Sequence, residues 1–199
     1  MRNRECKVSK KTAIFSFVIF LICIALAACS GSVSKKLVAQ IDLSRWVEES
    51  FTVSSDIRRV AYVISTDGKQ CVVVNGEQGK QYDSILKGTP IFSPDSKRLA
   101  YGARVDAEQF VVVDGEEGKR YDLILDSSLV FSPDSKRLAY IAANQKNVMV
   151  VVDGVETKAY GGVFYGTRPV FDSPTRLHTL LRSGSDLEAT LVEVDIVEE

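Results

Sequence analysis

The chain reads as an all-β protein whose four-stranded antiparallel sheets recur every 39 residues, and three observations predict this. The first is a ten-residue segment, Phe92-Ser-Pro-Asp-Ser-Lys-Arg-Leu-Ala-Tyr101, which returns unchanged as Phe131 to Tyr140, 39 residues further on. The second is that other residues keep the same step: Asp56, Asp95 and Asp134, then Asn75, Asp114 and Asp153, then Tyr82, Tyr121 and Tyr160. The third is a run of β-branched residues in each unit that closes on Asn-Gly or Asp-Gly, the pattern of a buried strand entering a tight hairpin. Repetition at a period near 40 residues marks a repeat architecture. Four short strands in that length match one blade of a β-propeller.

Taken in order, the first unit opens on a decayed copy, Val53-Ser-Ser-Asp-Ile-Arg-Arg-Val-Ala-Tyr62, and a weaker fourth copy starts at Val170 and keeps Arg176-Leu177. In each copy the Ser-Pro-Asp segment reads as a turn. Pro94 or Pro133 presets φ, and the Ser and the Asp (Asp56, Asp95 or Asp134) accept from backbone N–H groups. Ser-Lys-Arg reads as a solvated loop. Arg98-Leu-Ala-Tyr101 then alternates as a strand does, with the small Ala letting neighbouring sheets approach. A polar hairpin leads to the apolar runs Cys71-Val-Val-Val74, Phe110-Val-Val-Val113 and Val148-Met-Val-Val-Val152. The turns Asn75-Gly76, Asp114-Gly115 and Asp153-Gly154 reverse the chain into strands carrying Tyr82, Tyr121 and Tyr160. A last apolar segment, such as Ser128-Leu-Val-Phe131, reads as the fourth strand and leads to the next turn. The expectation is a small propeller of three full blades and a fourth that is partial or closed from both chain ends. In the closed form Lys36–Asp42 and Val47–Val53 would pair with 176–182 and 187–195, which would remove exposed sheet edges. An open arc is the rival.

Before the repeats, residues 1–11 hold Arg2, Arg4, Lys7, Lys10 and Lys11 against Glu5, and Ala13 to Ala28 run apolar with Ser16 the one interruption. This is the layout of a secretory signal, ending in small residues. This run of 16 residues falls short of the ~20 that span a bilayer. Leu26-Ala27-Ala28-Cys29 resembles the lipobox of bacterial lipoproteins, which implies acylation at Cys29, including a palmitate-type chain, and cleavage just before it. An uncleaved single-span anchor ending at Cys29 is the simpler alternative. With the lipobox, residues 29–37 read as a lipidated tether, and 38–199 as the repeat domain. The protein is expected in the bacterial envelope, facing periplasm or cell surface, because the basic residues precede the apolar run.

Residues 1–28 contain five of the 25 Lys/Arg and one of the 26 Asp/Glu, so the remainder has 20 basic against 25 acidic residues and a net charge of −5. Such a surface disfavours nucleic acid as a partner. With Cys6 and Cys23 in the signal and Cys29 the lipid site, Cys71 alone remains, so the core and not a disulfide framework holds the fold. In register with Phe110 and Met149, Cys71 reads as a packing residue.

The repeated segment closely resembles that of the TolB-type, WD-like β-propellers, whose consensus is Phe-Ser-Pro-Asp-Gly-Lys before a short apolar strand. The likeness is strong at 92–101 and 131–140, weaker at 53–62 and 170–179, and spans roughly residues 45–195. It implies a non-enzymatic envelope propeller of a kind that often serves as a protein-binding platform; it does not transfer a partner, and an envelope protein is the partner expected here. This chain departs from TolB in its smaller size and its apparent lipid anchor. An accessory or truncated propeller of an envelope hydrolase or glycan-active enzyme is the alternative function.

Residues for chemistry are sparse. His178, the one histidine, falls in register with Ala61, Ala100 and Ala139. No Gly-x-Ser-x-Gly elbow occurs, and no Cys/His spacing suits zinc. Asp95 and Asp134 lack the dense oxygen series of a calcium loop, and Gly161-Gly162 lacks the setting of a phosphate loop. The acids Glu188, Glu193, Asp195, Glu198 and Glu199 read as a solvated edge. No catalytic residue, cofactor or metal is expected.

Overall fold

The computed structural model describes residues 34–183 and 188–197, and the signal, Cys29 and the start of the tether lie outside them. One compact unit spans Leu37–Glu199. It is all-β: four antiparallel sheets follow one another along the chain. The first sheet comprises β1 (Thr52–Val53), β2 (Val60–Thr66), β3 (Lys69–Val74) and β4 (Glu77–Gln78). The second comprises β5 (Ser84–Ile85), β6 (Ile91–Phe92), β7 (Leu99–Val105), β8 (Glu108–Val113) and β9 (Glu116–Tyr121). The third repeats it as β10 (Leu123–Ile124), β11 (Val130–Phe131), β12 (Leu138–Asn144), β13 (Asn147–Val152) and β14 (Val155–Glu156). The fourth has β15 (Gly162–Val163), β16 (Val170–Ser173), β17 (Arg176–Ser183) and β18 (Glu188–Asp195). No helix among the described residues is long and apolar enough to cross a membrane.

The β-branched runs form the centre of each sheet, and their alternate side chains feed the cores on either face. One core lies between the first and second sheets, where Val63, Val72 and Tyr82 meet Tyr101, Phe110 and Val112. The next joins Val111 and Tyr121 to Phe131, Tyr140 and Met149. The third joins Ile141 and Val150 to Leu177, Leu181 and Val192. Ala61, Ala100 and Ala139 are fully buried in these seams, where a larger side chain would hold the sheets apart.

Three expectations are corrected. The apolar segment before each Ser-Pro-Asp does not finish the preceding sheet. It pairs forward, Ile91 with Ala100 and Phe92 with Leu99, so each repeated segment is a hairpin inside its own sheet. The first strand is accordingly split: β5 pairs with the far end of β7 and β6 with its near end.

Among the described residues the chain ends do not close a ring. The segment expected in the fourth sheet joins the first, with Thr52 opposite Ala61, Trp46 bridged to Ile64, and Val47 N–H donating to Val63 O at 2.9 Å. A local hairpin orders far less chain than a closure spanning the whole domain. Ala39, Ile41 and Trp46 cover the outer face of the first sheet, over Tyr62, Ile64, Cys71 and Val73. The fourth sheet exposes Leu180 and Leu191 on its outer face. The described residues thus form an arc of four sheets, capped at one end by its own leading segment.

The third correction concerns the fourth copy, whose turn is one residue shorter. Phe171 pairs with Leu177 and Ser173 with Arg176, so four residues, Asp172 to Thr175, stand between Phe171 and Arg176 where the repeated segment has five.

Candidate interaction surface

The turn residues of the repeated segment act first within their own hairpin. Ser93 Oγ donates to Asp95 Oδ1 at 2.6 Å and accepts the Arg98 N–H at 2.9 Å, while Asp95 Oδ1 accepts the Lys97 N–H at 3.1 Å. Ser132, Asp134 and Arg137 repeat this, as do Ser54, Asp56 and Arg59 without a proline. Pro94 and Pro133 sit at the bend of their hairpins, between the Ser and the Asp. The neighbouring Ser hydroxyl is the main reason the carboxyls of Asp56, Asp95 and Asp134 lie below the ordinary range.

The second half of the segment, expected as a solvated loop, instead ties sheet to sheet. Asp56 N–H donates to Ser96 Oγ at 3.0 Å, and one repeat later Asp95 N–H donates to Ser135 Oγ at 2.9 Å. Arg59 Nη1 reaches the carbonyls of Ser96 and Lys97 at 2.9 and 2.8 Å. Arg98 Nη1 reaches those of Ser135 and Lys136 at 3.4 and 2.8 Å. Each guanidinium lies over a ring of the next sheet, Arg59 on Phe92 and Arg98 on Phe131.

Asn75, Asp114 and Asp153 hold φ between 49° and 53°, followed by Gly76, Gly115 and Gly154 at 83° to 94°, the conformation of a two-residue hairpin. Their side chains do further work. Oδ1 of each accepts the N–H that starts the preceding long strand: Val60 at 2.9 Å, Leu99 at 2.8 Å and Leu138 at 2.9 Å. Asp114 and Asp153 also pair with Arg98 and Arg137.

These residues frame a cleft at each seam. The first, of about 540 Å³, has Val72, Leu99 and Tyr101 as floor and Arg59, Lys97 and Glu77 as rim. The second, of about 400 Å³, repeats it with Val111, Leu138, Tyr140, Arg98, Lys136 and Glu116. The third, of about 680 Å³, is lined by Val152, Val155, Val194 and Ile196 with Glu156 and Asp195.

A ladder of ion pairs runs beside them, Lys80 Nζ to Glu117 at 2.6 Å and Lys119 Nζ to Glu156 at 2.7 Å. The lysine ammonium holds each glutamate carboxyl below its usual range. Beneath the ladder Tyr82 packs edge-on to Tyr101, and Tyr121 to Tyr140. Burial drives the Tyr82 and Tyr121 phenols far above their ordinary range, so they stay neutral.

Each of the first two clefts thus sets an apolar floor within a charged rim. His178 Nδ1 lies 2.9 Å from Asp172 on the rim of a separate hollow on the fourth sheet. Cys71 is buried under Trp46, and burial raises its thiol. Among the described residues no three metal-ligating side chains gather. The turn residues singled out in the sequence therefore brace the cleft walls. The sequence reading passed over Ser96, Ser135, Arg59, Arg98, Lys80, Lys119 and their glutamates. The 39-residue step that relates them was the available signal.

No protein-family model matches the chain, and no curated protein matches it. Among solved structures it is similar to TolB from Acinetobacter baumannii, at 12% identity over 74% of this chain and 40% of that one, with a TM-score of 0.48. It is also similar to the β-propeller domain of the trilobed protease from Pyrococcus furiosus, at 14% identity over 75% of this chain and 56% of that one, with a TM-score of 0.49. A prolyl endopeptidase matches at 18% identity over 73% of this chain and 26% of its own, with a TM-score of 0.45. At these identities the likeness concerns fold alone, and the chain spans well under two thirds of each.

Proposed function

We propose that this protein is a non-catalytic, membrane-anchored lipoprotein of the bacterial envelope, whose propeller-type sheets serve as a binding or scaffold module for another envelope protein. The observation that carries the reading is the recurrence of one cleft at successive seams, with apolar floor and charged rim in the same register. A repeated cleft offers equivalent footholds to successive side chains of an extended partner, and polar rims around apolar pockets are the anatomy of a protein interface. Attachment is assigned to acyl chains on Cys29, since more than one chain gives stable anchoring.

A photo-reactive side chain placed at Lys97, on the rim of the first cleft, should capture a discrete protein in intact envelopes. The reading fails if only self-adducts form. Cys29→Ala should abolish acyl labelling, and unchanged labelling would remove the anchor from the proposal.

A further inference from the structure

In the first three sheets the second long strand is covered on both edges. β3 lies between β2 and β4, β8 between β7 and β9, and β13 between β12 and β14. In the fourth sheet β18 pairs along its length with β17, and among the described residues its other edge meets no strand. The chain passes the place where Asp153-Gly154 reverses the third sheet and continues extended to Asp195. The edge of this eight-residue strand is thus unpaired among the described residues, and its last two residues, Val194 and Asp195, line the third cleft.

The residues there are those in which the copies differ. Val155, strongly exposed, stands where the earlier sheets have Glu77 and Glu116. The change at 155 makes the rim of this cleft more apolar. The charges lining it are matched already: Arg137 with Asp153, Glu156 with Lys119, Asp195 with Arg176. One beside it is not. Lys158 is the third lysine of the ladder, and its two counterparts reach a glutamate on the fourth strand of the following sheet. Among the described residues Lys158 has no carboxylate within salt-bridge distance, and the fourth sheet has no such strand.

We propose that the β18 edge binds an extended segment of a partner protein, which completes the fourth sheet and sets a carboxylate against Lys158. Main-chain hydrogen bonds along β18 supply affinity, and Lys158 with the apolar floor of Val155, Val194 and Ile196 supplies the choice of side chains. A second copy fits poorly. Antiparallel self-pairing about the centre of β18 would set Glu188 opposite Asp195, and like charges directly opposed destabilise a sheet.

The inference rests on the reading of the chain as a binding module. The probe is a fluorescent peptide with the sequence of residues 114–122, Asp-Gly-Glu-Glu-Gly-Lys-Arg-Tyr-Asp, which contains the second sheet's fourth strand. Titrated with the full chain in detergent, it should bind saturably. Reversing its second glutamate to lysine, or making Lys158→Glu in the protein, should weaken binding about tenfold or more, and combining the two should restore it. Absence of saturable binding, or equal affinity in all four combinations, overturns the proposal. So does a dimer that Ala189→Pro converts to monomer, which would give the edge to a second copy. Photo-capture at Lys97 that persists in Lys158→Glu separates failure of this inference from failure of the binding-module reading.

Discussion

Ile57, Ser96 and Ser135 occupy the same place in three successive turns, all with φ between 58° and 67°, yet only the serines have a sheet before them to serve. Their hydroxyls accept N–H groups of Asp56 and Asp95 from the preceding sheet, whereas Ile57 leads the first sheet and lies exposed. Identical chemistry at 96 and 135 is therefore a device for joining sheets, and its loss at 57 follows from position. The two sites should respond oppositely to mutation. Ser135→Ala leaves the Asp95 N–H without its acceptor and should cost about 1–2 kcal/mol. Ile57→Asn relieves a β-branched residue of a left-handed backbone that disfavours it by roughly 1–2 kcal/mol, and should raise stability by a comparable amount. Denaturant midpoints of the two variants check both signs. Equal and small effects would mean that the hydroxyl is incidental.

At the scale of the element, Asp114 shows how one residue organises a sheet. It takes the positive φ of the hairpin, accepts the first N–H of β7 and pairs with Arg98. Asp114→Ala should cost about 2 kcal/mol, by orphaning the Leu99 N–H and by straining the turn. Asp114→Asn should stay within about 0.5 kcal/mol, because Asn75 performs the same acceptance in the first sheet. Thermal unfolding distinguishes the two, and equal losses would show that charge, not acceptance, matters.

Such elements were legible in the sequence because their causes are local: a β-branched run prefers a pleated strand, and Asn-Gly or Asp-Gly prefers the tight turn. The partner of Val130-Phe131 was not legible, because a two-residue apolar piece has no periodicity to assign it backward or forward. The Ser132 N–H closing onto Arg137 O at 2.9 Å decides for forward. The cleft walls were hidden for a related reason. Ser-Lys-Arg looks solvated in one copy, and its contacts appear only when two copies stand side by side.

At the scale of the molecule, the arc has unlike ends. The first sheet would expose Tyr62, Ile64, Cys71 and Val73 were it not for Ala39, Ile41 and Trp46, while the last sheet leaves one edge of β18 unpaired. Neither end could be foretold from the repeats, since a repeat reports the packing that recurs and an end is where recurrence stops. The cap makes a prediction that does not depend on any partner. Cys71 lies 3% exposed beneath it, and burial raises its thiol, an effect that the charge of Arg45 offsets only in part. Its reaction with an alkylating reagent therefore measures how often the cap lifts, as exchange measures local opening. Trp46→Ala removes the largest side chain of the cap, and truncations of buried Trp cost about 3–5 kcal/mol, an upper bound for this partly buried one. Because that loss falls on the cap and not on the seams, labelling of Cys71, located by peptide mass, should accelerate at least about tenfold while the main unfolding transition moves little. If labelling and global unfolding instead shift together, the leading segment folds as one with the arc, and the first sheet does not outlast the loss of its cover.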